Sequence, residues 1–179
     1  PGSVSFNERW AQMLGYQHED IAPRVETWER LVHPDDLPGV IKVLQAHLEG
    51  RTPFYETEHR MRHKSGEWVW VLDRGRVITR DEAGKPLRAA GTHLDVTERK
   101  RVEVALRESE QRFRAIFDCA FQFTGLMTPE GIITEANRTA LDFAGVSIED
   151  VVNRPFWETR WWCGDEVRVQ QLREAITRA

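Results

Sequence analysis

Cysteine is almost absent from this chain: only Cys119 and Cys163 occur among 179 residues. Two thiols give neither a metal-binding spacing nor a disulfide framework, which fits a reducing compartment, and the cytosol is the expected location. No apolar run approaches the roughly 18 residues needed to cross a bilayer, and the first residues lack the basic-then-apolar layout of a secretion signal, so no membrane contact is expected. An excess of positive charge is missing too. With 25 Lys and Arg against 29 Asp and Glu the formal net charge is −4, and without a global basic field nucleic acid is not an expected partner. Catalytic signatures are equally scarce: there is no glycine-rich phosphate loop, no Gly-x-Ser-x-Gly elbow and no His-Glu-x-x-His pair, so no catalytic site is expected within these residues.

What is present is an ordinary globular composition, 40% hydrophobic and 30% charged, organised around the stretch from Asp95 to Phe117. Val102, Leu106, Ser109, Phe113, Ile116 or Phe117, and Ala120 follow one another in steps of four and three, which draws a narrow apolar stripe along a helix. Its remaining surface alternates in charge, from Glu98, Arg99, Lys100 and Arg101 to Arg112 and Arg114. A stripe this narrow suits a seam against one partner helix, and a homodimer through this helix is expected. The alternative is a surface helix packed on its own domain. Thr97 offers a hydroxyl cap at its start, and Asp95 adds a carboxylate at the positive end of the helix dipole.

Ahead of it the chain reads as three short helices, at 6–16 with Asn7 as cap, at 21–32 carrying Trp28 and Leu31, and at about 37–48 after the break at His33-Pro34-Asp35-Asp36. Val40, Ile41, Leu44 and Leu48 form the expected buried face of the third. Three strands follow: 54–63, then 68–79 after the turn Lys64-Ser65-Gly66-Glu67, then 86–94 after Asp81-Glu82-Ala83-Gly84-Lys85. Helices followed by an antiparallel meander make an α+β pattern.

Gly91-Thr92-His93-Leu94-Asp95-Val96-Thr97-Glu98-Arg99-Lys100 resembles the end of a PAS sensor domain, where the last strand finishes in an Asp-x-Thr motif and feeds a signalling helix. Phe6-Asn7-Glu8-Arg9-Trp10, His33-Pro34-Asp35-Asp36, Lys64-Ser65-Gly66-Glu67-Trp68 and Asp81-Glu82-Ala83-Gly84-Lys85-Pro86 are similar to the same fold in its bacterial sensor-kinase form. The PAS fold normally opens with two strands; here only the tail of one is expected, at 3–5.

Past the central helix the pattern restarts, with a hairpin built from 121–127, the turn Thr128-Pro129-Glu130-Gly131 and 132–136. An offset of 130 residues places Asn137 over Asn7, Gly145 over Gly15, Asp150 over Asp20 and Asp165 over Asp35, which marks a repeat. The expected architecture is therefore two tandem PAS-like copies, each an antiparallel sheet with short helices on one face and both truncated. The first spans 1–97, a linker helix 98–117, and the N-terminal part of the second 118–179. The first copy has mainly late strands and the second only early ones, so the second hairpin has the option of completing the first sheet, within or between chains. Because 174–179 stops inside a helical pattern, the sequence reads as a piece of a longer protein.

By the resemblance, Asp95 and Thr97 would relay a stimulus from the sheet into the linker helix, and the output enzyme would lie outside these residues. That enzyme would be a sensor histidine kinase of a two-component system or, alternatively, a diguanylate cyclase or phosphodiesterase in which the present segment is a ligand-free dimerisation module. Trp28, His47 and Trp70 are candidates to line a small-molecule pocket between sheet and helices, although large rings equally fill a core. No cofactor is assigned. A haem would use His47, which an exposed helix position explains more simply; a photoactive flavin would need a cysteine motif of which only Cys163 is present. His33, Asp35 and Asp36 are read as a helix cap, and His59 and His63 stand too far apart along one strand face to share a metal, so no metal is expected.

Overall fold

A computed structural model describes residues 4–162 and 166–178. The residues up to Val104 form one compact unit and those from Ala105 onward a second. In the first, α1 (Glu8–Met13), α2 (Val25–Leu31) and α3 (Leu37–Leu48) precede β1 (Tyr55–Arg62), β2 (Trp68–Arg80) and β3 (Pro86–Asp95), which pair antiparallel in the order β1-β2-β3. A single residue, Val96, separates β3 from α4 (Thr97–Cys119). Val4 and Ser5 carry no strand, so the expected opening strand tail is absent from the described part of 3–5.

Strand alternation decides what enters the core. On β1, His59 and Met61 are fully buried, and on β2 so are Val71 and Asp73, while Glu58, Arg60 and Trp70 between them point to the other face. The helices cover the first face with Trp10, Ala11, Leu14, Trp28, Leu31 and Val40. Burying such side chains contributes about 1.5–3 kcal/mol each, which three helices this short cannot obtain from one another.

α3 has the expected bounds but not the expected face: its buried residues are Val40 and His47, with Ile41 and Leu44 only partly covered. Asp36 occupies its N-cap position, yet its carboxylate makes no cap bond. It accepts from Arg60 instead, through Nε at 2.9 Å, Nη2 at 2.6 Å and the backbone N–H at 3.0 Å. A fork of two charge-assisted bonds outcompetes one helix amide.

In the second unit, β4 (Gly125–Met127) and β5 (Ile133–Ala136) form a sheet of their own rather than joining the first one, followed by α5 (Arg138–Ala144) and α6 (Glu166–Arg178). The repeat is visible atom by atom. Asn7 Oδ1 accepts from the Trp10 N–H at 2.9 Å and Asn137 Oδ1 from the Ala140 N–H at 3.1 Å. Gly15 and Gly145 both end their helices with positive φ, +74° and +63°. Asp20 caps the N–H of Gln17, and Asp150 that of Ser147, in matching turns. The last member of the register, Asp165, lies outside the described residues, as does Cys163.

Candidate functional site

The junction of sheet and long helix is built from four backbone-directed bonds. Thr97 Oγ1 accepts from the Trp70 N–H at 2.9 Å, and the Val96 N–H donates to the Trp70 carbonyl at 2.8 Å. Asp95 Oδ1 accepts from the Thr97 N–H at 2.8 Å, and the Lys100 N–H returns to the Val96 carbonyl at 2.9 Å. Both polar backbone groups of Trp70 are thus held by the corner, with Val96 buried beneath. The predicted relay residues Asp95 and Thr97 are brought together here. Thr97 acts less as a helix cap than as a latch onto the middle strand.

Around this corner runs a charged lattice on the open face of the sheet. Glu58 receives Arg99 and, at 2.9 Å, Lys100; both cations hold its carboxyl below the ordinary range. Lys100 Nζ and the Arg60 guanidinium lie 5.5 and 5.7 Å from the Trp70 ring centre, close enough for cation–π attraction. Arg60 in turn holds the Asp36 carboxyl down to about 2, chiefly by its hydrogen bonds. Side chains from the start of α3, from β1, from β2 and from the first turn of α4 therefore touch in sequence.

Trp70 is consequently misplaced as a pocket residue. It lies on the face opposite the core because the alternation puts its neighbour Val71 inside. Trp28 is in the core. His47 is also buried rather than exposed: its Nδ1 faces the Thr52 carbonyl at 2.9 Å, and its Nε2 accepts the Val77 N–H at 2.9 Å. β1 ends at Tyr55, opposite Gly75, so Val77 has no partner strand on that side and the imidazole takes its place. With both nitrogens engaged, His47 does not fit a haem ligand.

Between sheet and helices lies a polar group whose members come from all three strands, Tyr55 from β1, Asp73 from β2 and His93 from β3. Asp73, 2% exposed, accepts the Tyr55 hydroxyl at 2.9 Å, and the His93 Nε2 stands 3.2 Å from its other oxygen, within ion-pair reach but off line for a hydrogen bond. Tyr55 gains this reach by lying over Gly75, where an added Cβ would come within 2.5 Å of its ring. Burial and the Asp73 charge push the Tyr55 phenol well above its ordinary range. His59 sits on the same face, its Nδ1 3.1 Å from Thr57 Oγ1. Its Nε2 and the indole nitrogens of Trp10 and Trp28 are buried with no hydrogen-bond partner among the described residues. Asp73 continues the alternation of Val69 and Val71, and that period of two is the signal that places it inside.

The far end of α4 is also fastened. Asn137, fully buried, donates through Nδ2 to the carbonyls of Phe117 (3.1 Å), Ala120 (3.4 Å) and Gln122 (2.9 Å), and accepts from Thr124 and Ala140. Beside β4 and β5 a cavity of about 320 Å³ is lined almost wholly by apolar groups, among them Phe123, Met127, Phe143, Phe156 and Trp161. Between its two ends, Val102, Leu106, Phe113 and Ile116 of α4 are exposed.

A three-stranded antiparallel sheet with short helices over one face and its last strand running into a long helix defines an α+β domain. The chain belongs to the PAS family: the model of the PAS fold matches residues 3–93, and a PAS domain model matches 122–178. It is 31% identical over 172 residues to the two-component sensor PprA of Pseudomonas aeruginosa, covering 94% of this chain and 18% of that protein. It is 43% identical over 53 residues to the sensor histidine kinase TmoS of Ectopseudomonas mendocina, covering 30% of this chain and 5% of that one. The crystal structure of a sensory box histidine kinase/response regulator from Burkholderia thailandensis superimposes with a TM-score of 0.53 at 36% identity, covering 61% of this chain and 79% of that one. The chain thus spans less than a fifth of the length of these curated relatives. Among the described residues no helix is long and apolar enough to cross a membrane.

Proposed function

We propose that this chain is the sensory part of a signalling protein, in which residues 1–97 detect a stimulus or small ligand and residues 98–117 relay it to a second PAS domain from 118 onward and then to an output enzyme. The observation that carries the reading is the hold of Val96 and Thr97 on both backbone groups of Trp70. A shift of β2 along its neighbours cannot occur without moving the first turn of α4. At the other end, Asn137 ties the Phe117 carbonyl to the second domain, so displacement of the helix has a receiver. Relatives named as a two-component sensor and a sensor histidine kinase support that class of output.

The exposed stripe Val102, Leu106, Phe113 and Ile116 supports pairing of α4 with its copy in a homodimer, since an apolar seam left in water costs free energy that a second helix recovers. Signalling then requires two helix pairings of similar energy that the stimulus biases by a few kcal/mol. The test is autophosphorylation of the parent protein carrying Asp95→Ala or Thr97→Ala. The reading expects output that no longer follows the stimulus while the domain stays folded; normal regulation in both variants contradicts it.

A further inference from the structure

Each histidine on the core face of the first sheet is exceptional in one respect. His59 is fully buried, yet its Nε2 has no partner; His93 stands at a buried carboxylate without lining up to bond it. α1 and α2 cover the pair with aromatic edges: Trp10 meets His93 with ring centres 6.0 Å apart, and Trp28 meets His59 at 6.1 Å. The groups that face His59 are few. β1 contributes Tyr55 and Thr57, β2 Asp73, β3 His93 and the loop before α3 Asp36, while His47 of α3 lies beside Tyr55 with both nitrogens engaged. Trp10 and Trp28 are what α1 and α2 place here.

We propose that His59, Asp73 and His93 form an acid-responsive element of the first domain, in which proton uptake at His59 redistributes the bonds to Asp73 and loosens the core under β3. Neutral His59 has only its Nδ1 engaged, by the Thr57 hydroxyl, and carries no charge to compensate. Once protonated it carries two N–H donors and a charge among apolar rings, and the carboxylate that most favours that form is Asp73, already shared by Tyr55 and His93. A buried cation without a partner costs several kcal/mol. Either His59⁺ displaces His93 from Asp73, or α1 and α2 yield and admit water. His93 lies two residues before Asp95, so the first outcome acts directly on the strand that enters the α4 corner.

Burial already holds the His59 imidazole below its ordinary value, with His93 acting in the same sense and the Asp73 and Asp36 carboxylates pulling against them. A folded-state value below the unfolded one means that the stabilisation is complete above about pH 6.5 and is lost as the pH falls from there toward the folded value. The proposal rests on the relay reading only for its output; the titration of His59 is read independently.

The experiment is an NMR titration of the 179-residue chain from pH 8 to 4.5, following the histidine ring protons, the Trp28 indole N–H and the Val96 and Thr97 amides. The expected result is a His59 midpoint below the ordinary value of about 6.5, with the indole and both amides moving at that same midpoint. Asp73→Asn should lower the midpoint further, because the opposing charge is gone. His59→Gln should abolish the movement at Trp28. The proposal is overturned if His59 titrates at its ordinary value with the Trp28 indole unmoved, or if the movement persists in folded His59→Gln. Should that variant not fold, the wild-type titration decides alone. Movement at Trp28 without movement at Val96 and Thr97 overturns the coupling to the corner and leaves the relay itself untouched.

Discussion

The hydroxyl of Thr97 accepts the backbone N–H of Trp70 at 2.9 Å across 27 positions of sequence. This one bond joins the first residue of the long helix to the middle strand of the sheet, and it is placed there because β3 pairs Asp95 opposite Val71. Removing the hydroxyl while keeping the shape isolates its contribution. Thr97→Val should cost about 1 kcal/mol or somewhat more, since the Trp70 N–H is left half-buried without an acceptor. Urea unfolding measures the loss, and amide exchange at Trp70 should accelerate well beyond that of neighbouring strand amides.

The Asp36–Arg60 fork gives the first domain an acid limit of its own. The Asp36 carboxyl is held at about 2 against an ordinary 3.8, so its contribution is complete above about pH 3.8 and disappears as the pH falls from there to about 2. Asp36→Asn should remove that part of the acid dependence and cost about 1 kcal/mol near neutrality once solvent screening is allowed for. Thermal unfolding between pH 2 and 7 checks both statements, and it separates this step from the His59 transition expected at higher pH.

His47 supports the sheet by standing in for a strand. Truncating it to Ala leaves the Val77 N–H and the Thr52 carbonyl unpaired and opens a cavity beside Tyr55. A loss of about 2–4 kcal/mol is expected. His47→Gln, which can still reach one of the two partners, should recover part of it in the same unfolding assay.

Asn137 should be the least replaceable polar residue of the second unit. Its side chain serves three carbonyls and two amides in a fully buried place. Asn137→Ala orphans all of them and should cost about 3 kcal/mol or more. Asn137→Asp should be nearly as harmful, because a carboxylate cannot donate to Phe117, Ala120 and Gln122. Trp161, which donates to the Ala140 carbonyl, should report the loss by fluorescence.

Much of this was legible in the order of residues. The three helices, the meander, the helix after Thr97 and the 130-residue repeat all rest on local signals: a capping asparagine, a glycine stop, a period of two or of 3.6. The site was less so. The size of Trp70 suggests a pocket or core residue, whereas strand parity puts it on the outer face. The helical pattern around His47 suggests exposure, because the need it meets, an amide beyond the start of β1, is set by the register between β1 and β2. Asp73 and its partners Tyr55 and His93 come from three strands, so no window of sequence contains them together. The place of Asp36 before a helix suggests a cap, and only the approach of Arg60 from β1 shows where its carboxylate goes.

In the proposed homodimer the corner sets how α4 meets its copy. In a Cys119→Ser, Cys163→Ser background, Ser109→Cys places a thiol on the apolar stripe and Glu108→Cys one beside it. The rate of disulfide cross-linking between chains is then measured with Thr97 intact and with Thr97→Ala. The account predicts that Ser109→Cys cross-links much faster than Glu108→Cys, and that Thr97→Ala changes this ratio although the domain remains folded and position 109 is twelve residues away along the helix. Equal rates at the two positions, or a ratio that Thr97→Ala leaves unchanged, would contradict it.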